Sequence, residues 1–418
     1  MQKLIINGGQ RLRGEIELQG AKNSALPILS ASLLCDGESI LYNCPCLSDI
    51  YSAIRILNSL GCRCSFSDNK AVIKSGNLEK FEISEELMCE MRSSIIFLGA
   101  ILGKSKESIV SYPGGCELGS RPIDMHLDAF RKMGVDIKEE YGKIICKARD
   151  GIHGAKITLD FPSVGATENI MLASVLAKGE TVINNSAREP EICDLAEYLR
   201  KCGAKIKGDG ESRIIIKGVK KLYGCEHDIM PDRIAGATYL SAAASTGGEI
   251  ILKKSCINAM ESFLSVLEDA GCSISVAGDV IYLRSGARLK AVKSIRTMPY
   301  PGFPTDAQAI IMATLLKANG TSIFEENIFD CRYKHIDALL KMGADIKVRG
   351  KTAVVQGVKR LYGASVEATD LRGGAAMVIA GLSAEGKSTI TGLRHIDRGY
   401  ENIENVFRNL GADIKRTE

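Results

Sequence analysis

One phrase occurs six times along this chain: an apolar residue or Cys, then Gly, then a short strand-like run. The copies are Leu60-Gly61-Cys62, Met133-Gly134-Val135, Cys202-Gly203-Ala204, Ala270-Gly271-Cys272, Met342-Gly343-Ala344 and Leu410-Gly411-Ala412. Subtracting successive glycine numbers gives intervals of 73, 69, 68, 72 and 68 residues. A period of about 70 residues exceeds solenoid repeats and suffices for a small α/β unit, so the chain is expected to be an array of such units.

Each glycine follows an amphipathic helical pattern, for example 261–270, and takes the place where a left-handed residue ends a helix. Two alternating runs come next, such as Ser273-Ile274-Ser275-Val276 and Val280-Ile281-Tyr282-Leu283 around Gly278-Asp279, which spells a hairpin. A second helix type recurs one step later, as in 235–244, 307–313 and 374–380, and is small or apolar nearly all round. A helix without a polar face belongs inside, with the sheets and amphipathic helices around it.

The sixth copy runs out before its hairpin is complete, and Leu4-Ile5-Ile6 with Gly14-Glu15-Ile16-Glu17-Leu18 resemble the missing strands. The N-terminus is therefore expected to close the sixth unit. Two domains of three units each follow, 21–229 and 1–20 plus 230–418, with the chain crossing near Lys22 and near Pro231.

With 418 residues, 45% hydrophobic and 25% charged, the composition is that of a soluble globular protein. No apolar run approaches the eighteen residues of a membrane span, and Met1 to Gly8 has no signal-peptide core, so a cytoplasmic location is expected. The fourteen cysteines should then stay reduced. None falls into paired Cys-x-x-Cys or Cys/His spacing, and Cys44-Pro45-Cys46 and Cys62-Arg63-Cys64 read as alternating positions, so neither metal nor disulfide is expected. Most of the other cysteines, such as Cys89, Cys193, Cys202 and Cys331, fall in apolar patterns and read as core residues. A net charge of +4 with no basic block points away from nucleic acid.

Cys116 differs from the rest. It lies in Tyr112-Pro113-Gly114-Gly115-Cys116-Glu117-Leu118-Gly119-Ser120-Arg121-Pro122, where three glycines and Pro113 exclude a continuing helix or central strand. Arg121-Pro122-Ile123-Asp124 reads as a helix start, and a thiol near a positive helix end is activated; a plain buried thiol is the competing reading. The repeat also aligns unusual polar residues at each core-helix entrance: Lys22-Asn23, Arg92, Ser163-Val164-Gly165, Asp232-Arg233, Asp306 and Asp370-Leu371-Arg372. The entrances to the amphipathic helices carry Asp49, Cys116 with Arg121, Arg188-Glu189, Arg332 and Arg398. Taken singly, each is a cap or a solvated charge. Recurrence at one level points instead to a cleft for an anionic substrate, rimmed by Lys and Arg that suit phosphate and carboxylate.

Four segments match one family in order. They are Pro113-Gly114-Gly115-Cys116 through Gly119, Arg121-Pro122-Ile123-Asp124 and His126; Gly20-Ala21-Lys22-Asn23-Ser24-Ala25-Leu26-Pro27; Ser163-Val164-Gly165-Ala166-Thr167-Glu168-Asn169; and Phe303-Pro304-Thr305-Asp306. In these the chain resembles the UDP-N-acetylglucosamine 1-carboxyvinyltransferases, enolpyruvyl transferases that open peptidoglycan synthesis. The resemblance implies a two-domain inside-out α/β barrel of six βαβαββ-like units, three per domain. It implies transfer of the enolpyruvyl group of phosphoenolpyruvate to the 3′-hydroxyl of UDP-N-acetylglucosamine, without cofactor, in a cleft between the domains.

By the same resemblance the catalytic residues are Cys116, Asp306, Lys22 and Arg398. Cys116 is the acid and forms a covalent phosphoenolpyruvate adduct; Asp306 takes the hydroxyl proton. Lys22, Asn23, Arg92, Arg121, Arg372 and Arg398 hold phosphoenolpyruvate, with Asp370 alongside. Asn23, Arg92, Arg121, Pro122, Ile123, Asp124, Met125, Ser163, Val164, Gly165, Asp306 and Ile328 hold the nucleotide sugar. Phe161 stands where some members have Lys, which leaves backbone N–H groups from Ser163 onward for the nucleotide. The loop around Cys116 is expected to close over bound sugar nucleotide. Two further readings are transfer to shikimate 3-phosphate, and a hydrolase with Cys116 as nucleophile and His126 as base; a non-catalytic sugar-nucleotide binder is a third.

Overall fold

The computed structural model describes residues 2–76, 78, 80–114 and 123–417. Two strands come first, β1 (Lys3–Asn7) and β2 (Arg13–Glu17), and six units follow. The first runs α1 (Lys22–Ser32), β3 (Cys35–Tyr42), α2 (Ser48–Ser59), β4 (Arg63–Ser67), β5 (Lys70–Ser75). The second runs α3 (Glu85–Glu90), a 3₁₀ turn Arg92–Ile96, α4 (Phe97–Ser105), β6 (Glu107–Ser111), α5 (Asp124–Lys132), β7 (Asp136–Glu140), β8 (Lys143–Lys147). The third runs β9 (Lys156–Thr158), α6 (Val164–Ser174), β10 (Glu180–Asn184), α7 (Pro190–Lys201), β11 (Lys205–Lys207), β12 (Arg213–Lys217). After the short strands β13 (Leu222–Tyr223) and β14 (Glu226–Asp228), the fourth runs α8 (Arg233–Thr246), β15 (Glu249–Lys253), α9 (Glu261–Asp269), β16 (Ser273–Ala277), β17 (Val280–Arg284). The fifth is β18 (Ser294–Arg296), α10 (Thr305–Leu315), β19 (Thr321–Glu325), α11 (Ile336–Lys341), β20 (Asp345–Arg349), β21 (Thr352–Gln356). The sixth is β22 (Ser365–Glu367), α12 (Leu371–Ser383), β23 (Lys387–Thr391), α13 (Leu393–Ile396), α14 (Ile403–Asn409), β24 (Asp413–Thr417).

Each recurring glycine ends an outer helix, and each has positive φ: +102° at Gly61, +86° at Gly134, +106° at Gly203, +96° at Gly271, +89° at Gly343 and +89° at Gly411. The residue after each donates its N–H to a carbonyl five back, for example Cys62 to Leu57 at 3.0 Å and Ala412 to Phe407 at 3.0 Å. That is the Schellman closure, and the donors Cys62, Val135, Ala204, Cys272, Ala344 and Ala412 are all buried against their sheets. One local motif thus stops the helix, satisfies its last carbonyls and aims the chain into the hairpin.

Five of the six sheets share one plan: a hairpin pairs with the unit's second strand, which a leading strand joins in parallel. Examples are β9-β10-β12-β11 and β18-β19-β21-β20. The second unit keeps only a bridge, Glu82 to Ile109, in place of the leading strand. In the sixth, β1 lies between β23 and β24, antiparallel to both, and supplies the missing hairpin strand. β2 does not belong there, contrary to the sequence expectation. It runs parallel to β15 as the leading strand of the fourth unit, because the sixth already has β22 in that role. Correspondingly, β13 and β14 lead the first unit through β3.

The chain forms two compact domains, one within 20–230 and the other made of Met1–Gln19 with Pro231–Glu418. Each has its own apolar core. In the second domain α8, α10 and α12 pack on one another, and nearly every residue of each is buried. In the other, α1, α4 and α6 hold the centre, and α4 is preceded by the 3₁₀ turn in place of a continuous core helix. Outer helices such as α2 and α7 bury one face only. Gly411 meets nothing within 4 Å where a Cβ would stand, so its cost of substitution is conformational. Gly411→Ala is expected to destabilise the protein by about 1–2 kcal/mol, read as a lower urea midpoint at unchanged slope.

Candidate active site

In the second domain the entrances of α10 and α12 meet in one ion cluster with Arg332, which precedes α11. Asp306, second residue of α10, accepts from Arg332 Nη2 at 2.8 Å through Oδ1 and from Arg372 Nη2 at 3.2 Å through Oδ2. The Arg332 and Arg372 side chains are 2% and 5% exposed, while that of Asp306 is 29% exposed. Two buried cations therefore share one partly open carboxylate, and its removal would cost each of them an ion-pair partner. Arg332 is fixed further by Nε and Nη2 donating to the Thr305 carbonyl at 3.2 and 2.9 Å. Arg372 Nη1 donates to Tyr400 Oη at 3.1 Å, and Tyr400 in turn meets Thr238 Oγ1 at 2.7 Å.

Asp370 caps α12, its Oδ1 accepting from the N–H groups of Arg372 and Gly373 at 3.1 and 2.9 Å. Its Oδ2 is buried without a partner among the described residues, as are Arg372 Nε and both polar atoms of Gln308. Arg398 is half-buried between α13 and α14, next to Asp397, which pairs with Arg416 at 2.7 Å. The amide of Ile328 donates to Glu326 Oε1 at 2.9 Å, and Thr305 Oγ1 holds the same carboxylate. Ile328 thus has its side chain and carbonyl to offer, its N–H being engaged.

In the first domain, Lys22 opens α1 and its Nζ meets Asp49 Oδ2 at 3.0 Å, both buried. Asn23 beside it is exposed. Arg92 opens the 3₁₀ turn, and its Nη1 donates to the Pro113 carbonyl at 3.3 Å. One residue later, Gly114 N–H reaches Met88 O, and a Cβ on Gly114 would lie 2.7 Å from Cys89 O. Only glycine fits so close to the α3 backbone.

Ser163 caps α6 through Ala166 N–H at 3.3 Å, and its own N–H donates to Phe161 O at 2.7 Å. The expectation of free backbone N–H groups from Ser163 onward is corrected to Val164 and Gly165 at the helix start. A Cβ on Gly165 would be 3.4 Å from His126 Cε1. His126 is buried, and its Nδ1 accepts from Asn169 Nδ2 at 2.8 Å. Burial, with Arg92 nearby, pushes its pKa down to about 4. An imidazole so enclosed is ill suited to be a hydrolase base. Ile123 caps α5, exposed Asp124 opens it and half-buried Met125 follows. Cys116, Arg121 and Pro122 lie outside the described residues.

Residues 6–407 match the family model described as EPSP synthase (3-phosphoshikimate 1-carboxyvinyltransferase). UDP-N-acetylglucosamine 1-carboxyvinyltransferase 2 of Caldanaerobacter subterraneus is 51% identical over 416 residues, covering 100% of both chains. UDP-N-acetylglucosamine 1-carboxyvinyltransferase of Trichlorobacter lovleyi is 45% identical, covering 100% of this chain and 99% of its own length. The chain belongs to the UDP-N-acetylglucosamine 1-carboxyvinyltransferase family. The enolpyruvyl transferase NikO from Streptomyces tendae shares its fold, with a TM-score of 0.90 at 21% identity over 100% of this chain and 99% of that one. EPSP synthase from Acinetobacter baumannii follows with a TM-score of 0.77 at 18% identity over 100% of both chains. The fold is the two-domain inside-out α/β barrel of six repeated units. Among the described residues, no helix of this transferase is long and apolar enough to cross a membrane.

Some features of the transferase went unseen in the sequence. Asp194 on α7 takes a hydrogen bond from Ser24 Oγ on α1, from Met230 N–H at 3.1 Å and, through Oδ1, from His227 Nε2 at 2.9 Å. It thereby fixes the helix that carries Lys22 and Asn23. An acid on the apolar face between Ile192 and Leu195 was the available signal. Cys89 and Cys331 prove exposed and Cys193 half-buried, so of the four cysteines read as core only Cys202 is buried. Cys89 follows buried Met88 on α3 and Cys193 follows buried Ile192 on α7, so in each the neighbour takes the inward position.

His335 shares the low pKa of His126, pushed to about 4 by burial, with Asp370 opposing that shift and Arg332 adding to it. Both groups are neutral in the fold and take up protons near pH 6.5 once unfolded, so stability holds above that pH and drains away between pH 6.5 and about 4. The shift at His126 corresponds to about 3 kcal/mol at full protonation. Urea midpoints measured across this window should fall with pH, and the fall should be shallower in His126→Gln.

Proposed function

We propose that this transferase moves the enolpyruvyl group of phosphoenolpyruvate to the 3′-hydroxyl of UDP-N-acetylglucosamine and releases phosphate, the first committed step of peptidoglycan synthesis. The observation that carries this reading is identity of 45–51% over essentially full length with proteins named for that reaction. The family model's description names shikimate 3-phosphate, which makes that acceptor the second reading.

In the addition step, Cys116 gives a proton to the methylene of phosphoenolpyruvate while the sugar 3′-oxygen bonds to the neighbouring carbon and Asp306 takes the hydroxyl proton. Elimination then removes a methyl proton and breaks the carbon–oxygen bond to phosphate. Lys22, Arg92, Arg121, Arg372 and Arg398 balance the phosphate and carboxylate and the charge that develops between them, and the Asn23 amide donates a hydrogen bond to phosphoenolpyruvate. Asn23, Arg92, Arg121, Pro122, Ile123, Asp124, Met125, Ser163, Val164, Gly165, Asp306 and Ile328 hold the nucleotide sugar. The two guanidiniums on Asp306 support its role by fixing the direction of its lone pairs. The same reading puts the enzyme in the cytoplasm, with two small-molecule substrates, no cofactor, and neither nucleic acid nor membrane as partner.

Phosphate release with each acceptor in parallel tests the substrate: activity is expected with UDP-N-acetylglucosamine and none with shikimate 3-phosphate, and the opposite result overturns the reading. Cys116→Ser should lower kcat by about 10²–10⁴-fold, Cys116→Asp should retain more turnover, and fosfomycin should inactivate the unmodified enzyme. Asp306→Asn should lose kcat by a similar factor of about 10²–10⁴. Its urea midpoint, measured alongside, separates lost chemistry from the two guanidiniums left buried.

A further inference from the structure

Cys202 and Cys225 bring their sulfurs to 3.4 Å, and the proposed reaction uses neither. Cys202 ends α7 just ahead of Gly203, and Cys225 lies between β13 and β14, on the segment that leads the first unit's sheet. Their backbones are anchored independently of the thiols. Tyr223 N–H donates to the Cys202 carbonyl at 2.9 Å, and Ile40 N–H donates to the Cys225 carbonyl at 3.0 Å. A disulfide needs about 2.05 Å between sulfurs, a gap that side-chain rotation with a small approach can close.

The two thiols differ in a way that matters for oxidation. Cys202 is buried, whereas Cys225 is half-buried. The Cys202 thiol donating to it, with His227 and Lys201 beside it, holds Cys225 below the usual thiol range, while Cys202 is pushed up by its contacts with Cys225 and Cys35. Lys201 Nζ lies 3.2 Å from His227 Nδ1, so the positive charge is held close to this corner. One sulfur is thus the better nucleophile and its neighbour the waiting partner. Cys35, 3.8 Å from Tyr198 Oη, is fully buried and open to no oxidant.

We propose that Cys202 and Cys225 form a redox modification site at which a hydroperoxide closes an intramolecular disulfide. The Cys225 thiolate attacks the terminal peroxide oxygen, the oxygen–oxygen bond breaks, and the leaving oxygen departs as water or alcohol after taking a proton. Cys202 sulfur then attacks the sulfenic sulfur, the sulfur–oxygen bond breaks, and the hydroxide leaves as water with the Cys202 proton. Two thiols lose two electrons together, and the peroxide gains them. The bond ties the end of α7 to the β13–β14 segment, and so the outer helix of the third unit to the sheet of the first.

The test is to expose the full chain to hydrogen peroxide, alkylate it under denaturing conditions and map its peptides by mass spectrometry. The expected result is a Cys202–Cys225 linked peptide that dithiothreitol separates and that Cys225→Ser lacks entirely. Recovery of Cys202 and Cys225 both alkylated while Cys46, Cys89, Cys116 or Cys331 is oxidised would overturn the proposal. A Cys35–Cys202 link in place of the expected one would do so equally. The unmodified chain carries the primary readout, so the outcome stands even if the serine variant folds poorly.

Discussion

A helix with no polar face can show polarity only at its ends. The centre of each domain is built from such helices, and the four N–H groups at each start have no partner within the helix. Sheets and outer helices cover the sides, so the entrances are where charge can be placed without burying it against hydrocarbon. Asp232, Asp370 and Ser163 answer that need by capping. Lys22, Asp306 and Arg372 occupy the same level with their side chains turned to other charges. The placement of Lys22, Asp306 and Arg372 is therefore a consequence of how the core is packed.

The repeat uses that level twice with opposite sign. In the first unit the core-helix residue is the cation, Lys22, and the outer-helix residue the anion, Asp49. In the fifth, Asp306 is the anion on the core helix and Arg332 the cation leading to the outer one. The positions are equivalent in the unit, yet one presents a donor and the other an acceptor. Arg372, from the sixth unit, adds a second donor to Asp306 and leaves its own Nε unpartnered in the described structure, together with Asp370 Oδ2. Buried polar atoms left unpaired cost stability, and one is a donor on a cation while the other is an acceptor on a carboxylate, so each stays open to a partner of the opposite kind.

Much of this was legible in the sequence because each unit is closed by the same six-residue device. The glycine, the apolar residue behind it and the hairpin beyond it are local, and local rules decide them. Long-range partnership is another matter. That β1 completes the sixth sheet could be inferred from a missing strand, but that β2 serves the fourth depends on which vacancy remained once β22 was placed. The second unit's bridge and interrupted core helix have no counterpart in the spacing of its glycines. Of the site, the entrance residues were found by alignment of units, whereas Asp194 and Tyr400 act on backbone or side chains far away in sequence and left only faint marks, such as an acid on an apolar face.

The pairing of β1 with β24 also sets an order of events during synthesis. Lys3 to Asn7 face Asp413 to Thr417 across almost the whole length of the chain. A ribosome releases 20–230 with every strand of that domain already made, so it can fold while the rest is still being translated. The other domain has to wait. Its strand β1 is made long before β23 and β24 and stays without its sheet partners until β23 appears, and the closure of so long a loop falls late in folding. A strand made early, β1, is thus put in place late, while β2 beside it can join β15 as soon as the fourth unit is made.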